Sequence, residues 1–127
     1  MTPEAGLYLD KARQAVTEAR AVIAISLLEA AGRAAYLAAF HAAQALIFER
    51  LGDVPKTHRG VHAQFFRLLK DVPYPDTELP RFLSRAYNFK TVADYDIGPN
   101  ATITLSEATE AAAAAGRFVD RIAELLG

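Results

Sequence analysis

The chain has 127 residues, no cysteine, a net charge of −1 and 52 % hydrophobic residues, of which alanine alone supplies 26. That length suits one domain over residues 1–127. The missing cysteine excludes a disulfide framework, a thiolate nucleophile, an iron–sulfur cluster and a thiolate zinc site. Residues 1–49 carry 4 basic and 5 acidic groups, residues 50–90 carry 8 and 4, and residues 91–127 carry 2 and 6. The basic middle is either an anion-binding face or a region that pairs with the acidic C-terminal part within the fold. Met1 to Gly6 lacks the basic start and apolar stretch of a signal peptide. The longest uncharged stretch, Ala34 to Phe48, contains His41 and Gln44 and falls short of the roughly 18–20 apolar residues of a membrane helix. The expectation is a cytoplasmic chain with no membrane partner.

Alanine, leucine, arginine and glutamate dominate and the prolines sit at apparent boundaries, so an all-α chain is expected. A first helix runs from about Pro3 to Ala24, with Leu7, Leu9, Ala12, Val16, Ala19, Val22 and Ile23 as its apolar stripe. Ser26-Leu27-Leu28-Glu29 reads as a capping box at a break, although a continuous helix would also fit. The second helix, about Leu27 to Arg50, is apolar almost all round, stops at Gly52 and should be central. Its alanines permit close approach, while Tyr36, Phe40, Leu46, Ile47 and Phe48 fill the larger spaces. Thr57 can cap a third helix from His58 to Lys70, with Val61, Phe65, Leu68 and Leu69 inward and Val72-Pro73-Tyr74-Pro75 ending it. A fourth helix begins near Asp76 or Thr77, tolerates Pro80 in its first turn and runs to about Ala93, burying Leu79, Phe82, Leu83 and Ala86. Asp94 to Ile103, with Gly98-Pro99-Asn100, is a loop. Thr104-Leu105-Ser106-Glu107 is a second capping box, opening a last helix to Leu126 that buries Ala111, Ala115, Phe118, Val119 and Ile122.

No phosphate-cradling glycine loop, zinc-protease helix or nucleophile elbow is present. His58 and His62 stand at i and i+4, a metal-compatible spacing, but no carboxylate or cysteine accompanies them. The expectation is two solvent-facing histidines, with no metal and no other cofactor. Arg33, His41 and Gln44 lie on a related stripe of the second helix. They form either a buried hydrogen-bonded cluster that fixes packing or a dimer contact, or a site in which His41 transfers a proton. Lys90, Asp94 and Tyr95 gather a cation, an acid and a phenol at a helix end. Lys90 and Asp94 read either as a surface pair or, with Tyr95, as a set that holds a phosphate and moves a proton in metal-independent RNA cleavage.

Three segments carry a family resemblance: Arg33-Ala34-Ala35-Tyr36-Leu37-Ala38-Ala39-Phe40-His41-Ala42-Ala43-Gln44-Ala45-Leu46, Pro55-Lys56-Thr57-His58-Arg59-Gly60-Val61, and Ala93-Asp94-Tyr95-Asp96. In order and spacing they resemble the HEPN superfamily, in particular its short stand-alone branch, over roughly residues 7–124. The resemblance implies an up-and-down bundle of about five helices that forms a homodimer. It also implies a toxin-like or substrate-binding partner of a minimal nucleotidyltransferase, and in many members metal-independent RNA cleavage through an R-x4-6-H motif. Here Lys90 stands where the arginine is expected, and no histidine follows within six residues. Lysine keeps the charge but lacks the planar fork that binds phosphate through two bonds. If RNA is cut, Lys90 would carry the phosphate charge, Asp94 would orient it, and His41 or Tyr95 would move the proton. Arg33, His58, Arg59 and Arg85 would bind nucleotide or RNA. The competing class is a non-enzymatic helical module that binds a protein, a nucleotide or RNA without chemistry.

Overall fold

A computed structural model describes residues 1–71, 77–97 and 102–127. Among the described residues five helices follow one another: α1 (Pro3–Ala24), α2 (Leu28–Leu51), α3 (His58–Leu69), α4 (Glu78–Tyr95) and α5 (Leu105–Leu126). The fold is all-α, with no strand among the described residues, and no helix among them is long and apolar enough to cross a membrane. The expected ends of the third helix at Val72–Pro75, the start at Asp76 and the Gly98-Pro99-Asn100 turn lie outside the described residues.

Helix α1 starts where Thr2 Oγ1 accepts the Ala5 amide at 3.2 Å, with Pro3 in the first turn. It buries Leu9, Ala12, Val16 and Ala19, but Leu7 is exposed. Leu7 and Leu9 are about 200° apart around the axis, so one helix cannot turn both inward. The break after α1 is real, but Ser26 does not open a capping box. Its φ is +64°, the Leu27 amide donates to Val22 O at 2.8 Å, and the Ser26 amide donates to Ile23 O at 2.9 Å. This pair of bonds closes α1 through a left-handed residue, a place glycine usually takes. Leu27 then precedes α2 without any side-chain cap.

Helix α2 is the hub, packing against every other helix. Thirteen of its 24 residues are buried, eight of them alanine, and these small side chains let four neighbours approach one axis. Tyr36, Phe40, Leu46 and Ile47 fill the core as expected, while Phe48 is half-buried against Tyr8, with ring centroids 6.2 Å apart. Gly52 ends the helix at φ +75°. Phe65 of α3 and Phe82 of α4 both pack on Phe118 of α5, at 5.5 and 5.8 Å between centroids. The last capping box forms as read: Thr104 Oγ1 accepts the Glu107 amide at 3.1 Å and Glu107 Oε1 accepts the Thr104 amide at 3.0 Å.

Candidate functional site

Helix α4 continues through Tyr95, so Lys90, Asp94 and Tyr95 occupy its last two turns. Lys90 Nζ lies 2.9 Å from Asp94 Oδ2, as the i, i+4 spacing dictates. The other carboxylate oxygen faces Arg33 of α2, whose Nη1 is 3.4 Å from Asp94 Oδ1 and 3.4 Å from Ala93 O. Gly32 allows this approach, because a Cβ there would stand 2.8 Å from Ile103 Cδ1 and 3.5 Å from Phe89 Cβ. Lys90 Nζ also lies 6.0 Å from the Tyr87 ring centroid and 5.5 Å from that of Tyr95, whose side chain is 72 % exposed. The hydrogen bond from Lys90 holds the Asp94 carboxyl below its ordinary range, with Arg33 adding to the effect, and the same bond pushes the Lys90 ammonium up. Asp94 is therefore an anchor for two cations.

The expected Arg33, His41 and Gln44 cluster does not assemble. Arg33 is drawn to the end of α4, while His41 Nδ1 pairs with Gln44 Oε1 at 2.8 Å within α2, and all three are half-exposed rather than buried. Arg85 also stands apart. Five residues before Lys90 it faces about 140° away, lying over Phe82 at 5.4 Å beside a 290 Å³ cavity that Arg117 and Arg121 share.

Of the two histidines of α3, His58 is exposed at its outer edge, as expected, while His62 is half-buried, and both also reach an inner partner. Thr57 Oγ1 accepts the Gly60 amide at 2.9 Å and opens the helix, and Gly60 is required because a Cβ would meet Pro55 Cβ at 2.7 Å. With Pro55 folded over the first turn and Val61 and Phe65 in the core, His58 and His62 turn toward α2. There they meet the hydroxyl of the fully buried Tyr36: Tyr36 Oη is 2.7 Å from His58 Nδ1 and 3.0 Å from His62 Nε2. His58 stacks on Phe40, with centroids 4.3 Å apart and planes at 14°. Tyr87 of α4 packs edge-on against both Tyr36 and His62, at 5.3 and 5.5 Å.

A pocket of about 310 Å³ is lined by His58, Arg59, His62 and Tyr87. Burial pushes both imidazoles below the ordinary histidine value; the charges of Lys90 and His41 add to the shift at His58, and His58 adds to it at His62. Burial, followed by Tyr87, pushes the Tyr36 phenol well above its ordinary value. Tyr87 touches this ring cluster and also lies beside Lys90, so α2, α3 and α4 present one continuous polar face from His62 to Tyr95. Sequence reasoning singled out His58 and Arg59 but missed Tyr36, His62 and Tyr87 as site members. The available signal was a tyrosine hydroxyl in an otherwise apolar helix, which has to find a polar partner when buried.

No group of three or more histidine, cysteine, aspartate or glutamate side chains suited to a metal occurs among the described residues. The HEPN domain model matches residues 5–125. A UPF0332 protein of Archaeoglobus fulgidus is 32 % identical over 94 residues, which cover 74 % of either chain. The match spans all five helices and both halves of the polar face, and the chain belongs to the HEPN domain family.

Proposed function

We propose that this protein is a toxin-like, substrate-binding partner of a minimal nucleotidyltransferase, acting as a homodimer and holding RNA or a nucleotide by its phosphate at Lys90. The observation that carries this reading is the pairing of Lys90 and Arg33 on one carboxylate beside two tyrosine rings. Asp94 prearranges two cations, and Tyr87 and Tyr95 offer ring faces on which a base can stack, a combination suited to single-stranded nucleic acid. Arg59 and His58 extend the same face, and the Arg85 cavity is a separate basic surface.

The test is the binding of a fluorescent single-stranded RNA at several salt concentrations. Lys90→Ala is expected to weaken binding by roughly tenfold and to reduce the salt slope by about 0.7, the contribution of one phosphate contact on a single strand. A Lys90→Ala protein with wild-type affinity and slope would remove Lys90 from the site. Co-expression with the adjacent nucleotidyltransferase, if the gene neighbourhood encodes one, tests the partnership: a co-purifying complex supports it, and separate elution of both proteins contradicts it.

A further inference from the structure

The i, i+4 spacing of His58 and His62 suits a metal ion but supplies only two ligands, and the fold brings a third of another kind. Tyr36 Oη stands 2.7 Å from His58 Nδ1 and 3.0 Å from His62 Nε2, so a phenol oxygen and two ring nitrogens converge where α3 meets α2. Without an ion, neutral imidazoles satisfy both contacts when the hydroxyl donates to one nitrogen and accepts from the other. The donors are held in place by their surroundings. His58 is stacked on Phe40, and Tyr36 is fully buried against Phe40 and Tyr87. Pro55, closed over Gly60, fixes the first turn of α3.

We propose that His58 Nδ1, His62 Nε2 and Tyr36 Oη bind one divalent cation of the zinc type, which pins α3 to α2. Two imidazoles and a phenolate suit borderline ions such as Zn²⁺ and Cu²⁺, whereas Mg²⁺ and Ca²⁺ require more oxygen ligands. Ligands roughly 2.0–2.2 Å from a tetrahedral zinc lie about 3.4 Å from one another, so lengthening each present contact by less than about 1 Å makes room for the ion. Each imidazole then gives the lone pair of its inner nitrogen and carries its proton on the outer one, His58 Nε2 or His62 Nδ1. The cation takes the place of the phenolic proton, and one proton passes to the buffer for each ion bound. Both imidazole rings line the 310 Å³ pocket, which gives the ion its way in and water for its fourth position.

The neighbouring charges tolerate a cation at this point. Lys90 lies beyond Tyr87 and is answered by Asp94 at 2.9 Å, while Arg59 at the pocket rim is exposed and screened by solvent. The phenolate itself offsets one of the two charges of the ion. Tyr87 makes ring contacts with Tyr36 and His62, so it borders the site without serving as a ligand. Helix α3 buries only Val61, Phe65 and Leu69 within its span, and an ion that bridges it to α2 stabilises the folded chain by mass action. The site is separate from Lys90 and does not depend on the role of that residue toward RNA or a nucleotide.

The experiment strips the purified full chain with EDTA, removes the chelator by dialysis, and titrates the protein with Zn²⁺ by calorimetry and with Cu²⁺ by visible absorption. The expected result is one zinc per chain with a dissociation constant of about 10 μM or tighter, and a phenolate-to-copper charge-transfer band. Tyr36→Phe is expected to lose that band, and Tyr36→Phe and His62→Gln are each expected to weaken zinc binding by more than about tenfold. Tyr87→Phe should retain both the band and the affinity. Weaker zinc binding by the wild-type chain, a copper complex without the band, or zinc affinity within about tenfold of wild type in Tyr36→Phe or His62→Gln overturns the site. A band that disappears in Tyr87→Phe and persists in Tyr36→Phe overturns the choice of Tyr36 as ligand. The copper band and the His62→Gln affinity decide the proposal even if Tyr36→Phe does not fold.

Discussion

The His58 imidazole lies flat on the Phe40 ring, 4.3 Å between centroids and 14° between planes. Phe40 is itself 92 % buried, since only 8 % of it is exposed, so the core of the bundle forms the bed for a side chain that faces the pocket. Removing that bed should affect stability and titration together. Phe40→Ala is expected to destabilise the protein by about 3 kcal/mol in urea unfolding. It should also raise the His58 pKa toward 6.5 by admitting water, as followed by NMR titration. A His58 pKa that does not move in a folded Phe40→Ala protein would show that Phe40 does not desolvate it.

The depressed imidazole pKa values set the sign of the pH dependence of stability. Between the ordinary value of 6.5 and the lowered folded-state values of His58 and His62, the unfolded chain binds protons that the folded chain refuses. Stability is therefore full above pH 6.5 and declines as pH falls through that window. Tyr36 acts at the other end. Its folded pKa is raised above 10.0, so the unfolded chain loses its phenolic proton first and stability falls again above pH 10. Urea midpoints measured across this range should show both declines, and Tyr36→Phe should abolish the alkaline contribution of this residue.

Ser26 gives an opportunity to stabilise the chain. It holds φ at +64° with its side chain outside any cap bond, a conformation that disfavours an L-residue by about 1 kcal/mol. Ser26→Gly keeps both backbone bonds that close α1 and should raise stability by about that amount, read as a higher urea midpoint at unchanged slope. A lower midpoint would mean that the Ser26 side chain contributes more than its backbone strain costs.

Asp94 neutralises the cations it arranges. Asp94→Asn releases Lys90 and Arg33 from their shared carboxylate, so RNA affinity should rise by roughly threefold or more at low salt, with a steeper salt dependence. Weaker binding in this variant would indicate that orientation by Asp94 outweighs the charge it removes.

What the sequence made legible follows the range of each interaction. The Lys90–Asp94 pair, the Thr57 and Thr104 caps and the Gly52 stop depend on residues within one turn of each other, and they form as expected. Ser26 was misread because a serine three residues before a glutamate fits a capping box only with extended backbone, and here its backbone is left-handed. The contacts of Tyr36 with His58 and His62 join residues 22 and 26 apart. They exist because Pro55 closes over Gly60 and directs α3 back across α2. Helical spacing put the histidines on one face and could not say which helix that face would meet. Arg33 was placed with His41 by the same limitation, since its partner is 61 residues away on α4.

Helix α3 is the shortest of the five, buries only Val61, Phe65 and Leu69 within its span, and touches α4 less than any other packed pair of helices touch. Few apolar contacts and a polar joint are the marks of a segment that opens on its own. Amide hydrogens of α3 should accordingly exchange through a sub-global opening, well before those of α2, and opening should become easier at mildly acidic pH as the freed imidazoles take up protons. The bundle thus carries a detachable segment fastened at the Tyr36 hydroxyl, and a ligand that seats between α3 and α4 would be read out as slower exchange along residues 58–69.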